Sequence, residues 1–153
     1  MNLAKNMLVA LNLMWFPIGS ATAALAANNY AEGQVWEYET RREDAGSLLK
    51  IMRIDDLPDI GRVIHICVVG LKLPYPPAAD GILVEVPELP MKPSAMDASV
   101  RKLSDRQASC MRFDYGYKIW RQDYDRGQKG AVPIPLKEMM EKIAAKAKQA
   151  QTP

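Results

Sequence analysis

His65 and Cys67 are two residues apart in "RVIHICVVG", and His65 is the only histidine in the chain. In an extended segment residues i and i+2 share a face, so the pair invites a thiolate-imidazole reading. The spacing opposes it: same-face neighbours stand about 7 Å apart along a strand, beyond direct hydrogen-bond reach. The second cysteine, Cys110, could approach His65 only through the fold. A small hydrolase built around His65 and an Asp is therefore the competing expectation, and a core histidine satisfied by a neighbour is the leading one. No residue is assigned a catalytic role.

Carboxylates cluster at Asp55, Asp56 and Asp59 and at Asp123 and Asp125. Paired acids are what glycoside hydrolysis requires. Both clusters lie beside turn-forming residues, where Asp is favoured for its local hydrogen bonding, and solvated turns account for them. One His and two distant Cys match none of the usual zinc spacings, so no metal site is read. No Ser stands in a nucleophile-elbow pattern and no Gly-rich run has phosphate-loop spacing, so neither site nor cofactor is expected from those motifs.

Tyr75, within "LPYPPAADG", is the candidate binding residue. Flanking prolines hold a ring in place at little entropic cost, which suits a contact residue. A loop packed by its own side chains is the alternative. Trp36 and Trp120 are read as core or core margin.

The elements that must position these residues follow from periodicity. In "VWEYET" Trp36, Tyr38 and Thr40 alternate with Val35, Glu37 and Glu39, a half-buried strand. "RREDAG" turns the chain into "SLLKIMRI", with Leu49 and Ile51 on one side and Leu48, Met52 and Ile54 on the other, and a hairpin joins the two. "RVIHICVVGLKL" carries β-branched residues on both faces and belongs inside the sheet. Prolines 74, 76 and 77 make the next segment a loop; "ILVEV" returns as a strand, and "PELPMKP" breaks structure again.

Ser94 and Asp97 sit where an N-cap and its acidic partner would open a short helix over "AMDASVRKL". Phe113, Tyr117, Trp120 and Tyr124 recur at four, three and four, which predicts a helix ending near Gly127. "GAVPIP" is a short extended piece. Leu136, Met139, Met140 and Ile143 then stripe a terminal helix whose basic end complements the helix dipole. The expectation is an α+β domain: an antiparallel sheet of about four strands with two or three helices on one face.

The first 26 residues differ from the rest. Lys5 is their only charge, Met7 to Ile18 is largely apolar, and small residues precede Ala26, the layout of a cleaved signal peptide. The apolar core is about a dozen residues, short of the roughly 20 that span a bilayer, so no stable transmembrane anchor is expected after cleavage. The expected organisation is a signal peptide over 1–26, one globular domain over 27–146 and a frayed tail over 147–153, in a periplasmic or secreted bacterial protein. Without Lys5 the 20 basic residues become 19 against 18 acidic ones, a near-neutral balance that argues against nucleic-acid binding. In an oxidising compartment Cys67 and Cys110 either form one disulfide across a loop of about 40 residues or remain two buried thiols.

"GQVWEYETR" soon after the apolar leader, "GRVIHICVVGLKL", and "YGYKIWRQDYDRGQKGAVPIP" before a terminal helix resemble a group of small exported bacterial proteins with the same order of segments. The resemblance spans roughly Gly33 to Ile143 and implies a shared fold. It brings no established activity and no site residue. Elimination and export together lead to a non-enzymatic binding or interaction protein, such as an inhibitor or immunity-type partner of another exported protein. A structural component of the envelope is the remaining alternative.

Overall fold

The computed structural model describes residues 29–78, 80–128 and 130–150; the expected signal peptide lies outside them. Five strands form one antiparallel sheet: β1 (Val35–Tyr38), β2 (Leu48–Leu57), β3 (Gly61–Pro74), β4 (Ile82–Met91) and β5 (Val100–Ser104). The order across the sheet is β4-β3-β2-β1-β5, so β4 and β5 are its edges. Helices α1 (Pro93–Ser99), α2 (Phe113–Asp125) and α3 (Leu136–Gln149) complete an α+β fold with one strand more than expected.

Alternation along β3 divides the molecule into two layers of contact. Ile64, Ile66 and Val68 face one way and pack with Trp36, Leu49, Ile51, Leu89 and Met91 under α1 and α3, whose Met96, Leu136 and Met140 are fully buried there. Val63, His65 and Cys67 face the other way, where α2 lies. Two helices thus share one face as expected, and α2 covers the opposite one. Ser99 joins α1 to α3: its hydroxyl donates to Ala95 O at 2.6 Å, and its oxygen accepts the Leu136 N–H at 2.8 Å, satisfying one of the unpaired donors at the start of α3.

Several local expectations need correction. "VRKL" is not the end of a helix. It is β5, pairing antiparallel with β1 through Trp36↔Leu103 and Glu37↔Lys102. The helix before it is only seven residues, too short to hold β-branched Val100 against a strand that offers it a ladder. Its cap is Lys92 with Pro93 in the first turn, not Ser94. "PELPM" does not break the sheet: β4 continues through Pro87 and Pro90, which an edge strand tolerates because a missing N–H can face outward. A register shift between Ile51 and Arg53 moves Ile54 to the side of Leu49 and Ile51, so strict alternation misplaces it.

The aromatic helix is present over Phe113–Asp125, and the "GAVPIP" segment is extended, Val132 bridging Met91 in parallel. No described helix is long and apolar enough to cross a membrane.

Candidate functional site

β3 inserts His65 between two elements that each offer a carboxylate. Its Nδ1–H donates to Glu88 Oε1 on β4 at 2.8 Å, since a carboxylate can only accept. Its Nε2 lies 3.4 Å from Asp55 Oδ2 on β2, without hydrogen-bond geometry to any described residue. The two acids occupy opposite edges of the ring, and among the described residues no group of three His, Cys, Asp or Glu is placed to hold one ion.

Asp55 is the junction of this network. It accepts Tyr117 Oη–H at 2.7 Å from α2 and Arg53 Nε–H at 3.0 Å, while the Arg53 guanidinium lies 4.5 Å from the centre of the Tyr117 ring. Burial raises the Asp55 pKa, but the hydrogen bonds from Tyr117 and Arg53, with the Arg53 charge, outweigh it and hold the carboxyl below its ordinary range. The Tyr117 hydroxyl is pushed up, first by burial and then by the same bond to Asp55.

The stripe that predicts α2 delivers its rings onto the imidazole. Trp120 meets His65 edge-on at 4.4 Å between centroids, and Tyr117 does so at 5.0 Å. Tyr124 donates to Asp59 at the far end of α2, and Cys110, bonded to Cys67, ties down the near end. Asp55, a half-buried strand residue, is therefore an anchor for a helix and not a solvated turn residue, whereas Asp59 lies exposed in the β2–β3 turn as expected and also accepts from α2.

A histidine paired to a carboxylate can act as a general base when a substrate can reach its free nitrogen. Here the ring is 0% exposed. Four surface cavities of about 250 to 490 Å³ are lined by neither His65, Asp55 nor Glu88. The constellation binds α2 to the sheet.

Tyr75 stands at the tip of the β3–β4 hairpin and is 44% exposed. Its N–H donates to Gly81 O at 2.7 Å and its carbonyl accepts the Ala78 N–H at 2.9 Å, so the backbone holding the ring is ordered by the loop itself. Cys67 and Cys110 form the disulfide, with Cα atoms 6.3 Å apart, and are not joined to His65 in a nucleophilic site.

The larger exposed apolar surface lies further along β4. Ile82 and Val84 are 41% and 58% exposed and line a groove of about 250 Å³ with Met111 and Arg112. Met111 is 85% exposed, and Tyr115 and Ile119 follow it at four-residue steps on the flank of α2 next to Gly116, which abuts Glu88 of β4. The Tyr115-Ile119 spacing is a second, shorter stripe on α2 that the four aromatics of the first overshadow, and Met111 precedes the helix. Glu88 carried no signal, because it sits between two prolines in a segment read as irregular.

Comparison with protein-family models, with curated proteins and with solved structures yields no match to this chain.

Proposed function

We propose that the protein is an exported, non-enzymatic binding protein whose contact surface is the apolar rim formed by β4 and the outer flank of α2. The carrying observation is the exposure of Val84 and Met111 in one groove, at 58% and 85%, with Tyr115, 70% exposed, four residues beyond Met111. Monomeric soluble proteins rarely leave contiguous apolar patches of several hundred Å² uncovered unless something docks there. Tyr75, at the other end of the same hairpin, is the secondary contact candidate.

Export is supported by the apolar leader and by the Cys67–Cys110 bond, which an oxidising compartment maintains. The hydrolase reading draws less support, because His65 already spends Nδ1 on Glu88 and its ring is covered by Trp120 and Tyr117.

The test is affinity capture from a periplasmic extract using the wild-type chain, Val84→Lys and Met111→Glu. Both substitutions change exposed side chains and should leave the fold intact by circular dichroism. Specific capture should be lost with both, and a Tyr75→Ala arm measures the hairpin tip separately. Identical capture by all forms, or a hydrolytic activity abolished by His65→Ala, overturns the binding role. Release with the membrane fraction instead of by osmotic shock favours the envelope-component reading.

A further inference from the structure

The open part of the β4 edge is short and chemically distinctive. At Pro90 and Lys92 the edge is already occupied: Val132 N–H donates to Pro90 O at 2.7 Å and Lys92 N–H donates to Val132 O at 3.0 Å. Pro87 has no N–H to offer. What remains is the stretch beginning Ile82-Leu83-Val84, which has no lysine, arginine or proline; the Ile82 N–H donates to Asp80 Oδ1 at 3.1 Å, a bond that pairing must replace, and the register against β3 shifts between Leu83 and Glu85. The opposite edge differs, since β5 carries exposed Arg101 and Lys102. The only charged side chain close by on β4 is Glu85, and its carboxylate accepts the Met111 N–H at 3.3 Å.

We infer that this edge pairs with the same edge of a second copy of the chain, joining two sheets across a twofold axis. The proposal rests on the rim being a protein-binding surface and names its occupant. Read antiparallel about Leu83, Ile82 of one copy stands opposite Val84 of the other, and the reverse pairing is generated by the same axis, so the apolar strip is complementary to itself.

A dyad perpendicular to the sheet keeps both α2 helices on one face. Their Tyr115 and Ile119 flanks then approach each other above the new strand pair. Within the groove one acid, Glu85, is matched by one base, Arg112. The exposed parts of Ile82, Val84, Met111, Tyr115 and Ile119 amount to roughly 600 Å², to which the neighbouring backbone adds, close to the ~800 Å² per partner of a standard interface.

Light scattering coupled to size exclusion, with sedimentation across a wide concentration range, tests this on the purified protein. The wild type should be a dimer. Val84→Lys and Met111→Glu should each raise its dissociation constant by roughly a hundredfold, the scale of losing a central contact residue. Leu103→Lys, 50% exposed on the opposite edge, should leave it unchanged. A wild type monomeric at every concentration, or a dimer that survives both rim substitutions, overturns self-pairing. If the protein is monomeric yet the rim variants still lose a captured protein, self-pairing fails and the binding role stands. If neither effect is seen, both fail.

Discussion

Tyr117 and Asp55, 62 residues apart in the chain, meet in a 2.7 Å hydrogen bond that fastens α2 to the sheet. The acceptor is a partly buried carboxylate shared with Arg53 and lying beside His65, so losing the donor leaves an acceptor short of a partner in a region that water enters poorly. Tyr117→Phe should cost about 2 kcal/mol in urea denaturation, with hydrogen exchange accelerating first along α2. Asp55 has its folded pKa lowered, so its stabilisation is present above the unfolded value near 4 and is lost as pH falls through the folded value. Tyr117→Phe should flatten that acid limb. Asp56→Asn, which breaks only the exposed and solvent-screened pair with Arg62, should leave the midpoint where it is and alter the acid limb far less than Tyr117→Phe.

Gly116→Ala separates helix propensity from packing. In an exposed helix this change gains about 1 kcal/mol. On α2 the added Cβ would fall 2.6 Å from Glu88 Cβ, a point on the strand side that cannot swing aside as a side-chain end can. The helix must move away, which stretches the contacts to His65. A net loss of about 1 to 3 kcal/mol is expected. Thermal denaturation measures it, and a gain in stability would show that α2 packs less closely than its contact with β4 implies.

Reduction of Cys67–Cys110 should also register in α2. The bond closes a sequence separation of 43 residues and holds the chain three residues before the helix begins. On the chain-entropy account it contributes about 4 kcal/mol. The Cys67→Ala and Cys110→Ala double variant should unfold at correspondingly lower urea concentration. Faster proteolysis should appear between Asp105 and Arg112, where the polypeptide has no regular structure.

Much of this architecture is legible in the sequence. Both β1 and β3 announce themselves by period two and β-branched content, and the four aromatics of α2 by helical spacing. What was not legible depends on neighbours distant in sequence. "VRKL" has no strong preference of its own and becomes β5 because β1 presents an open ladder. The "PELPM" stretch becomes strand because an edge tolerates proline. Asp55, Glu88 and His65 are assembled from three strands, and only the strand register brings them together; no local pattern encodes the meeting. Histidine and cysteine two residues apart looked like chemistry, yet their shared face serves to seat a helix and a disulfide.

Tyr38 supplies a test at the alkaline end and on the other side of the sheet. Its hydroxyl lies 2.6 Å from Ser47 Oγ in a buried site. Burial is the main cause that pushes its pKa from 10.0 up to about 12; the bond to Ser47 works the other way, and the nearby Asp44 charge adds to the rise. A folded pKa above the unfolded one means that the stabilisation is complete below about pH 10 and is lost as pH rises toward 12. The loss across that window should reach about 2 to 3 kcal/mol, as one unit corresponds to ~1.4 kcal/mol. Tyr38→Phe should remove this component, at a cost near neutral pH of about 1 kcal/mol for the orphaned Ser47 hydroxyl. Chemical denaturation at a series of pH values, with the phenolate absorbance followed in parallel, measures both. Ionisation of Tyr38 near pH 10 without unfolding would mean that water already reaches the hydroxyl, and the packing of β1 against β2 would have to be looser than described.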